Sequence, residues 1–160
     1  CRYVQISLFQ LAPFLNSSID FSEEDDIIDE ALAYFRANVL FRNFQVEGGA
    51  DRTLIYLTLF IAMCLKEMER VDRKDAAVRD LRNIAIRQFS IPGDSGWPLG
   101  GLFPAPAKRE ESDAFKAYFK QAREELTLRL VDRLYMADGT KNKWWQAFSK
   151  RKFMGKELQN

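Results

Sequence analysis

The stretch LIYLTLFIAMCL, residues 54–65, is apolar at almost every position. Only Tyr56 and Thr58 are not plainly apolar, and twelve residues are too few to cross a bilayer, which takes about 20. A helix that is apolar on every side has to be covered on every side. The stretch therefore predicts a central helix over about Asp51–Arg70, with Asp51 capping its start and the rest of the chain packed around it.

Four more helices are predicted around this one, from apolar side chains that recur every three or four residues. The first begins at Ser22 or at the acids that follow it, where the helix dipole favours anions, and runs to about Phe41. The third covers about residues 75–88, the fourth runs from a cap at Ser112 to about Gly139, and the fifth covers about residues 143–151. The residues expected to face the core in the first helix are Ile28, Ala31 or Leu32, Phe35 and Val39. In the third helix they are Val78, Leu81, Ala85 and Phe89. In the fourth helix they are Phe115, Phe119 or Tyr118, Ala122, Leu126, Leu130 and Leu134.

These patterns predict an all-α fold, a five-helix bundle with one hydrophobic central helix, formed by a single helical domain over residues 22–160. Residues 1–21 are predicted to be an extended N-terminal segment, because Val4, Ile6 and Leu8 alternate with polar residues. A proline- and glycine-rich loop, residues 90–108, separates helices three and four, and we expect Trp97 and Phe103 to order it on the surface.

The composition excludes most familiar catalytic and metal sites. The chain has no histidine, so both an imidazole base and the commonest metal ligand are missing, and Cys1 and Cys64 form no C-x-x-C pair. The sequence GDSG at 93–96 matches the run around the nucleophile of trypsin-like proteases, but Ser95 has no histidine to activate it. We therefore predict no catalytic residue, no cofactor and no bound metal, and hence a protein that is not an enzyme.

The charge is divided unevenly between the two halves of the chain, although the net charge is only +1. Residues 1–80 carry 9 basic and 14 acidic side chains, whereas residues 81–160 carry 15 basic and 9 acidic ones. Such polarity suits docking against charged protein surfaces, through steering and register more than raw affinity, or simply reflects two solvated faces.

The C-terminal tail interleaves aromatic and basic side chains, with six bases and no acid between Lys141 and Lys156. This pattern is typical of binding to single-stranded nucleic acid or to an anionic membrane, but the remainder of the chain is acidic or balanced. Adjacent tryptophans point about 100° apart on a helix, so we expect one to seal the core and the other to meet a partner protein. The predicted interface residues are Trp144, Trp145, Phe148, Lys150, Arg151, Lys152, Phe153 and Met154, together with Trp97 of the loop.

Four stretches resemble one protein family, subunit 3 of the actin-related protein 2/3 complex. They are DIIDEALAYFRANVLFRNF (26–44), ADRTLIYLTLFI (50–61), FSIPGDSGWPL (89–99) and KWWQAFSKRKFMGKEL (143–158). Their order and spacing match the family, and the resemblance covers about residues 24–159. It implies a fold of five helices in which one is surrounded by the others.

The resemblance also implies a function. It implies a non-catalytic subunit of a seven-protein assembly that starts new actin filaments as branches on existing ones. Its partners are then actin-related protein 3, against which it lies, the other subunits, and actin filaments through the complex. The implied location is the cytoplasm and its cytoskeleton, with no nucleic acid bound and no membrane insertion. The alternative from the residues alone is a basic-tailed binding module for nucleic acid or anionic membrane.

Overall fold

The computed structural model describes residues 26–40 and 46–158, and this part of the chain is helical, with two isolated β-bridges and no strand. This confirms the predicted all-α class. The predicted extended segment, residues 1–21, lies outside the described residues. The elements are α1 Ile27–Asn38, α2 Gly49–Met68, α3 Lys74–Ile86, α4 Arg109–Leu134 and α5 Lys143–Gln146, followed by a 3₁₀ turn at Phe153–Gly155.

Helix α1 begins at one of the predicted acids. The Asp26 carboxylate accepts hydrogen bonds from the backbone N–H groups of Ile28 and Asp29, both at 3.0 Å, and so caps the helix. The helix ends at Asn38, three residues before the predicted end. The predicted core-facing residues are confirmed, since Ile28, Ala31, Leu32, Phe35 and Val39 are all buried.

Helix α2 contains the apolar stretch 54–65. It starts at Gly49, two residues before the predicted start, and Asp51 caps it from inside the first turn by accepting from the N–H groups of Glu47 and Gly48 at 2.8 and 3.0 Å. Thirteen of its twenty residues are buried, including every position from Ile55 to Ile61, so more than one face is covered. It contacts α1, α3, α4 and the 3₁₀ turn.

Helices α3 and α4 lie antiparallel, because Lys74 at the start of α3 meets Asp132 near the end of α4 at 2.8 Å, whereas Ile84 near the end of α3 accepts from Arg123, further back along α4, at 2.7 Å. The predicted stripe of α3 is confirmed at Leu81 and Ala85, which are buried, and Phe89 is partly buried against the core, but Val78 is 39% exposed and Ala77 is buried in its place. A shift of one residue turns a side chain by about 100° around the helix, which carries Val78 away from the core. The predicted stripe of α4 is confirmed, with Phe119 rather than Tyr118 as its buried aromatic residue.

Both predicted ends of α4 were wrong. Lys108, and not Ser112, occupies the N-cap position, and the Glu111 carboxylate instead accepts from the N–H of Ala107 at 2.8 Å. The helix ends at Leu134, because Met136 and Thr140 are joined in a turn in which Gly139 adopts a φ of +83°. Glycine takes this left-handed conformation without the cost that a side chain would bring.

A buried arginine joins α4 to the core, a feature that the periodicity did not indicate. Arg123 is 1% exposed and lies between the rings of Phe60 and Phe89, at 4.6 and 4.7 Å from their centroids. Its guanidinium donates to the backbone oxygen of Ile84 at 2.7 Å, so α3 and α4 are held together by a charged hydrogen bond.

The loop between α3 and α4 is held against the domain, as predicted, by Trp97 and Phe103, whose rings meet edge to face at 5.1 Å. Trp97 also stacks on Tyr56 of α2 at 6.0 Å. Two cations fasten the loop backbone: Arg52 donates to the oxygen of Leu102 at 2.6 Å, and Lys156 to that of Pro98 at 3.0 Å. The loop is therefore an ordered part of the surface.

Candidate protein interface

The tail that follows α4 forms one α-helical turn, α5, and then continues in 3₁₀-type turns. The Asn142 side chain accepts from the N–H of Trp144 at 3.1 Å and so caps α5. The predicted continuation of α5 to Arg151 is wrong, because the backbone beyond Gln146 forms the shorter i→i+3 hydrogen bonds of a 3₁₀ turn. One of them joins the N–H of Arg151 to the backbone oxygen of Phe148 at 3.0 Å. Met154 then takes a left-handed φ of 52°.

The two adjacent tryptophans occupy opposite environments, as predicted. Trp145 is 6% exposed and stacks on Phe35 of α1, with ring centroids 5.6 Å apart and planes 6° from parallel. Phe148 meets the same Phe35 ring edge to face at 6.4 Å. Trp144 is 75% exposed. Trp145 is thus the residue that seals the core, and Trp144 is available to another molecule.

Four of the predicted interface residues lie together at the end of α1. Lys150, Arg151, Lys152 and Met154 line an open pocket of about 580 Å³ whose other wall includes Val39 and Leu40. Leu40 is 57% exposed, and the sequence pattern did not indicate it because it lies just past the core-facing stripe of α1. The pocket therefore combines an apolar wall with a basic rim.

Most of these bases are paired within the chain, which corrects the expectation of an uncompensated basic tail. Lys150 lies 3.7 Å from Glu69, and Lys152 lies 3.3 Å from Glu157. The hydrogen bond from Lys152 is the main reason why the pKa of Glu157 lies below its usual value. Arg151 has no ion-pair partner among the described residues, so it is the base at this surface that remains for another molecule.

The remaining predicted interface residues do not share this surface. Trp97 is 9% exposed in a separate aromatic cluster with Tyr56 and Phe103, and Phe153 is fully buried. The apolar areas of Trp97, Trp145 and Phe153 are therefore already covered by the chain itself. The exposed part of the predicted site consists of the basic residues 150–152, which line the pocket, and of Trp144, which is exposed but is not among the lining residues.

Within residues 26–40 and 46–158, no group of three or more cysteine and acidic side chains is arranged to hold a metal ion. In the same part of the chain, none of the helices combines the length and the apolarity that crossing a membrane requires.

Comparison with known proteins assigns the family. Residues 6–158 match the family described as P21-Arc, the ARP2/3 complex ARPC3 (21 kDa) subunit. The chain is 54% identical to actin-related protein 2/3 complex subunit 3 of Dictyostelium discoideum over 134 residues, which cover 83% of this chain and 76% of that protein. It is 42% identical to the protein of the same name from Arabidopsis thaliana over 149 residues, covering 92% and 86% of the two chains. The chain therefore belongs to the family of actin-related protein 2/3 complex subunit 3.

Proposed function

We propose that this protein is a non-catalytic structural subunit of the actin-related protein 2/3 complex of the cytoplasmic cytoskeleton. In this role it packs against actin-related protein 3 and supports the nucleation of branched actin filaments. The names of its relatives support membership of the complex. A binding role for the tail is supported mainly by the exposure of Trp144, whose side chain is 75% exposed while that of its neighbour Trp145 is buried in the core.

The contacts around Trp144 suit an anchor residue. Tryptophan is enriched among the residues that dominate the energy of protein interfaces. The stack of Trp145 on Phe35 fixes the helical turn that carries Trp144, so less conformational entropy is lost when a partner covers the exposed ring. Arg151 lines the pocket at the end of α1 and has no ion-pair partner in the described part of the chain, so we expect it to steer the approach of an acidic surface to that pocket.

The rest of the fold supports this surface as a scaffold. We propose that α2 is the hydrophobic helix enclosed by the others, since its buried positions run without a gap from Ile55 to Ile61. A bundle built around such a helix moves little on binding, and this favours a structural role over a switching one.

Reconstitution of the complex with the other six subunits tests the proposal. We expect Trp144→Ala to weaken assembly about 30-fold, corresponding to about 2 kcal/mol for an interface anchor. Tyr34→Ala is the matched control, because Tyr34 is an exposed aromatic residue on α1, at 59% exposure. Both variants should fold and melt like the parent chain.

Two results would contradict the proposal. The first is normal assembly and normal branched nucleation by the Trp144→Ala complex. The second is tight binding of the isolated chain to single-stranded RNA or to phosphatidylserine vesicles with a steep salt dependence, which would favour the basic-tailed binding module instead.

A further inference from the structure

A groove between α3 and α4, on a surface that includes none of the tail residues, is lined by apolar side chains that the core does not cover. Its walls carry Val78 and Ile86 from α3 and Leu128 from α4, which are 39%, 54% and 53% exposed. Ala85 and Val131 are buried at its floor. The groove encloses about 480 Å³. Three large, partly exposed apolar side chains therefore share one groove, in contrast to apolar residues scattered singly over a surface.

The pairing of the two helices fixes which residues face each other across the groove. Lys74 and Asp132 are in contact at 2.8 Å, and antiparallel helices both rise by 1.5 Å per residue. Val78 follows Lys74 by four residues on α3, and Leu128 precedes Asp132 by four residues on α4, so Val78 lies opposite Leu128. After four more residues, Arg82 lies opposite Glu124, and Ile86 lies about 6 Å beyond that level.

The two rims of the groove carry charges of opposite sign. The α3 rim is basic, with Lys74 and Arg82, and the α4 rim is acidic, with Glu124 and Asp132. Lys74 and Asp132 form an ion pair with each other at one end of the groove. Arg82 and the half-buried Glu124 have no ion-pair partner among the described residues, so a positive and a negative charge face the middle of the groove from its two sides.

We propose that this groove binds one amphipathic α-helix of another protein chain, with an apolar stripe, an acidic residue toward Arg82 and a basic residue toward Glu124. Apolar side chains at positions i, i+4 and i+7 of such a helix span about 10.5 Å, close to the separation of about 12 Å between the levels of Val78 and Ile86. A helix is convex and fills the groove, whereas a second copy of this chain would bring two concave surfaces together and leave a void between them. The inference is independent of the proposed role of the tail.

Binding of hydrocarbon-stapled peptides of about 16 residues to the full chain, measured by fluorescence anisotropy, tests this proposal. The matched peptide carries a leucine stripe with glutamate on one flank and lysine on the other, and a second peptide carries lysine on both flanks. The parent chain should bind the matched peptide at least tenfold more tightly than the second. Arg82→Glu should reverse that preference, because both rims then carry acids. Leu128→Glu should abolish binding of the matched peptide, whereas Met136→Glu, at a residue of equal exposure outside the groove, should leave it unchanged.

Three outcomes would overturn the inference. One is equal affinity of the parent chain for the two peptides, and another is a loss of affinity in Met136→Glu that matches the loss in Leu128→Glu. The third is a dimer of the parent chain in sedimentation equilibrium that Leu128→Glu dissociates, which would assign the groove to a second copy. Because all variants keep the tail intact, assembly through Trp144 is measured separately and succeeds or fails independently of this result.

Discussion

Replacement of Trp145 by alanine should destabilise this protein strongly, whereas replacement of its neighbour Trp144 should not. A tryptophan side chain buries about 200 Å² when it is covered, and only 6% of Trp145 is exposed. At about 25 cal/mol per Å², the lost burial corresponds to about 5 kcal/mol, an upper estimate because the unfolded chain also buries part of its apolar surface. Measured truncations of buried tryptophan and phenylalanine cost about 3–5 kcal/mol. We therefore expect Trp145→Ala to cost about 4 kcal/mol.

The expected change is large enough to read from a melting curve. For a chain of this size, 1 kcal/mol shifts Tm by about 2–4 °C, so Trp145→Ala should lower Tm by about 8–16 °C. Part of the loss comes from the 5.6 Å stack on Phe35, and Phe35→Leu should therefore be non-additive with Trp145→Ala in a double-mutant cycle. Trp144→Ala removes a side chain that is 75% exposed and should stay within about 0.5 kcal/mol of the parent.

Circular-dichroism melts and urea titrations of the three single variants and the double variant measure these quantities. Equal melting temperatures for Trp144→Ala and Trp145→Ala would refute the assignment of Trp145 to the core. Strict additivity of Phe35→Leu and Trp145→Ala would refute the claim that the stack itself contributes to stability.

Three further predictions follow from other parts of the fold. Partial burial by itself would raise the pKa of Asp26, but hydrogen bonds from Arg129 and from the N–H groups of Asp29 and Ile28 hold this pKa below its ordinary value. The ionised Asp26 therefore stabilises the folded chain fully above about pH 4, and this stabilisation is lost as the pH falls through the pKa of the folded state. In urea titrations, Arg129→Gln should cost about 1 kcal/mol at neutral pH and less in acid. Burial raises the pKa of the Cys64 thiol to about 12. Peptide mapping after iodoacetamide treatment at pH 8 should therefore show Cys64 modified only in urea, and rapid labelling of Cys64 in the folded chain would contradict its burial. Leu59→Asp should unfold the protein, because Leu59 is 1% exposed and an unpaired carboxylate there costs several kcal/mol; a cooperative melt like that of the parent would show that α2 tolerates water at this face.

Local chemistry determined the class of the fold and the approximate positions of its helices, and the resemblance of four sequence stretches indicated its family. Apolar residues at helical spacing predicted the buried side chains of α1 and α4 correctly, because a helix presents the same face every 3.6 residues wherever it lies. Helix ends were less predictable, because capping depends on which side chain reaches the free N–H groups. Asp51 and Glu111 do so from within their helices, and Ser112 does not.

Tertiary structure decided which members of the candidate site are exposed. The sequence places Trp144 and Trp145 side by side, but only the position of Phe35 on a distant helix determines that Trp145 is the buried one. The same holds for Lys150 of the tail, whose ion-pair partner at 3.7 Å is Glu69 at the end of α2. Burial and ion pairing depend on distances between segments that are far apart in sequence. A pattern of residue types can therefore name the candidates for an interface, while the packing of the whole chain selects among them.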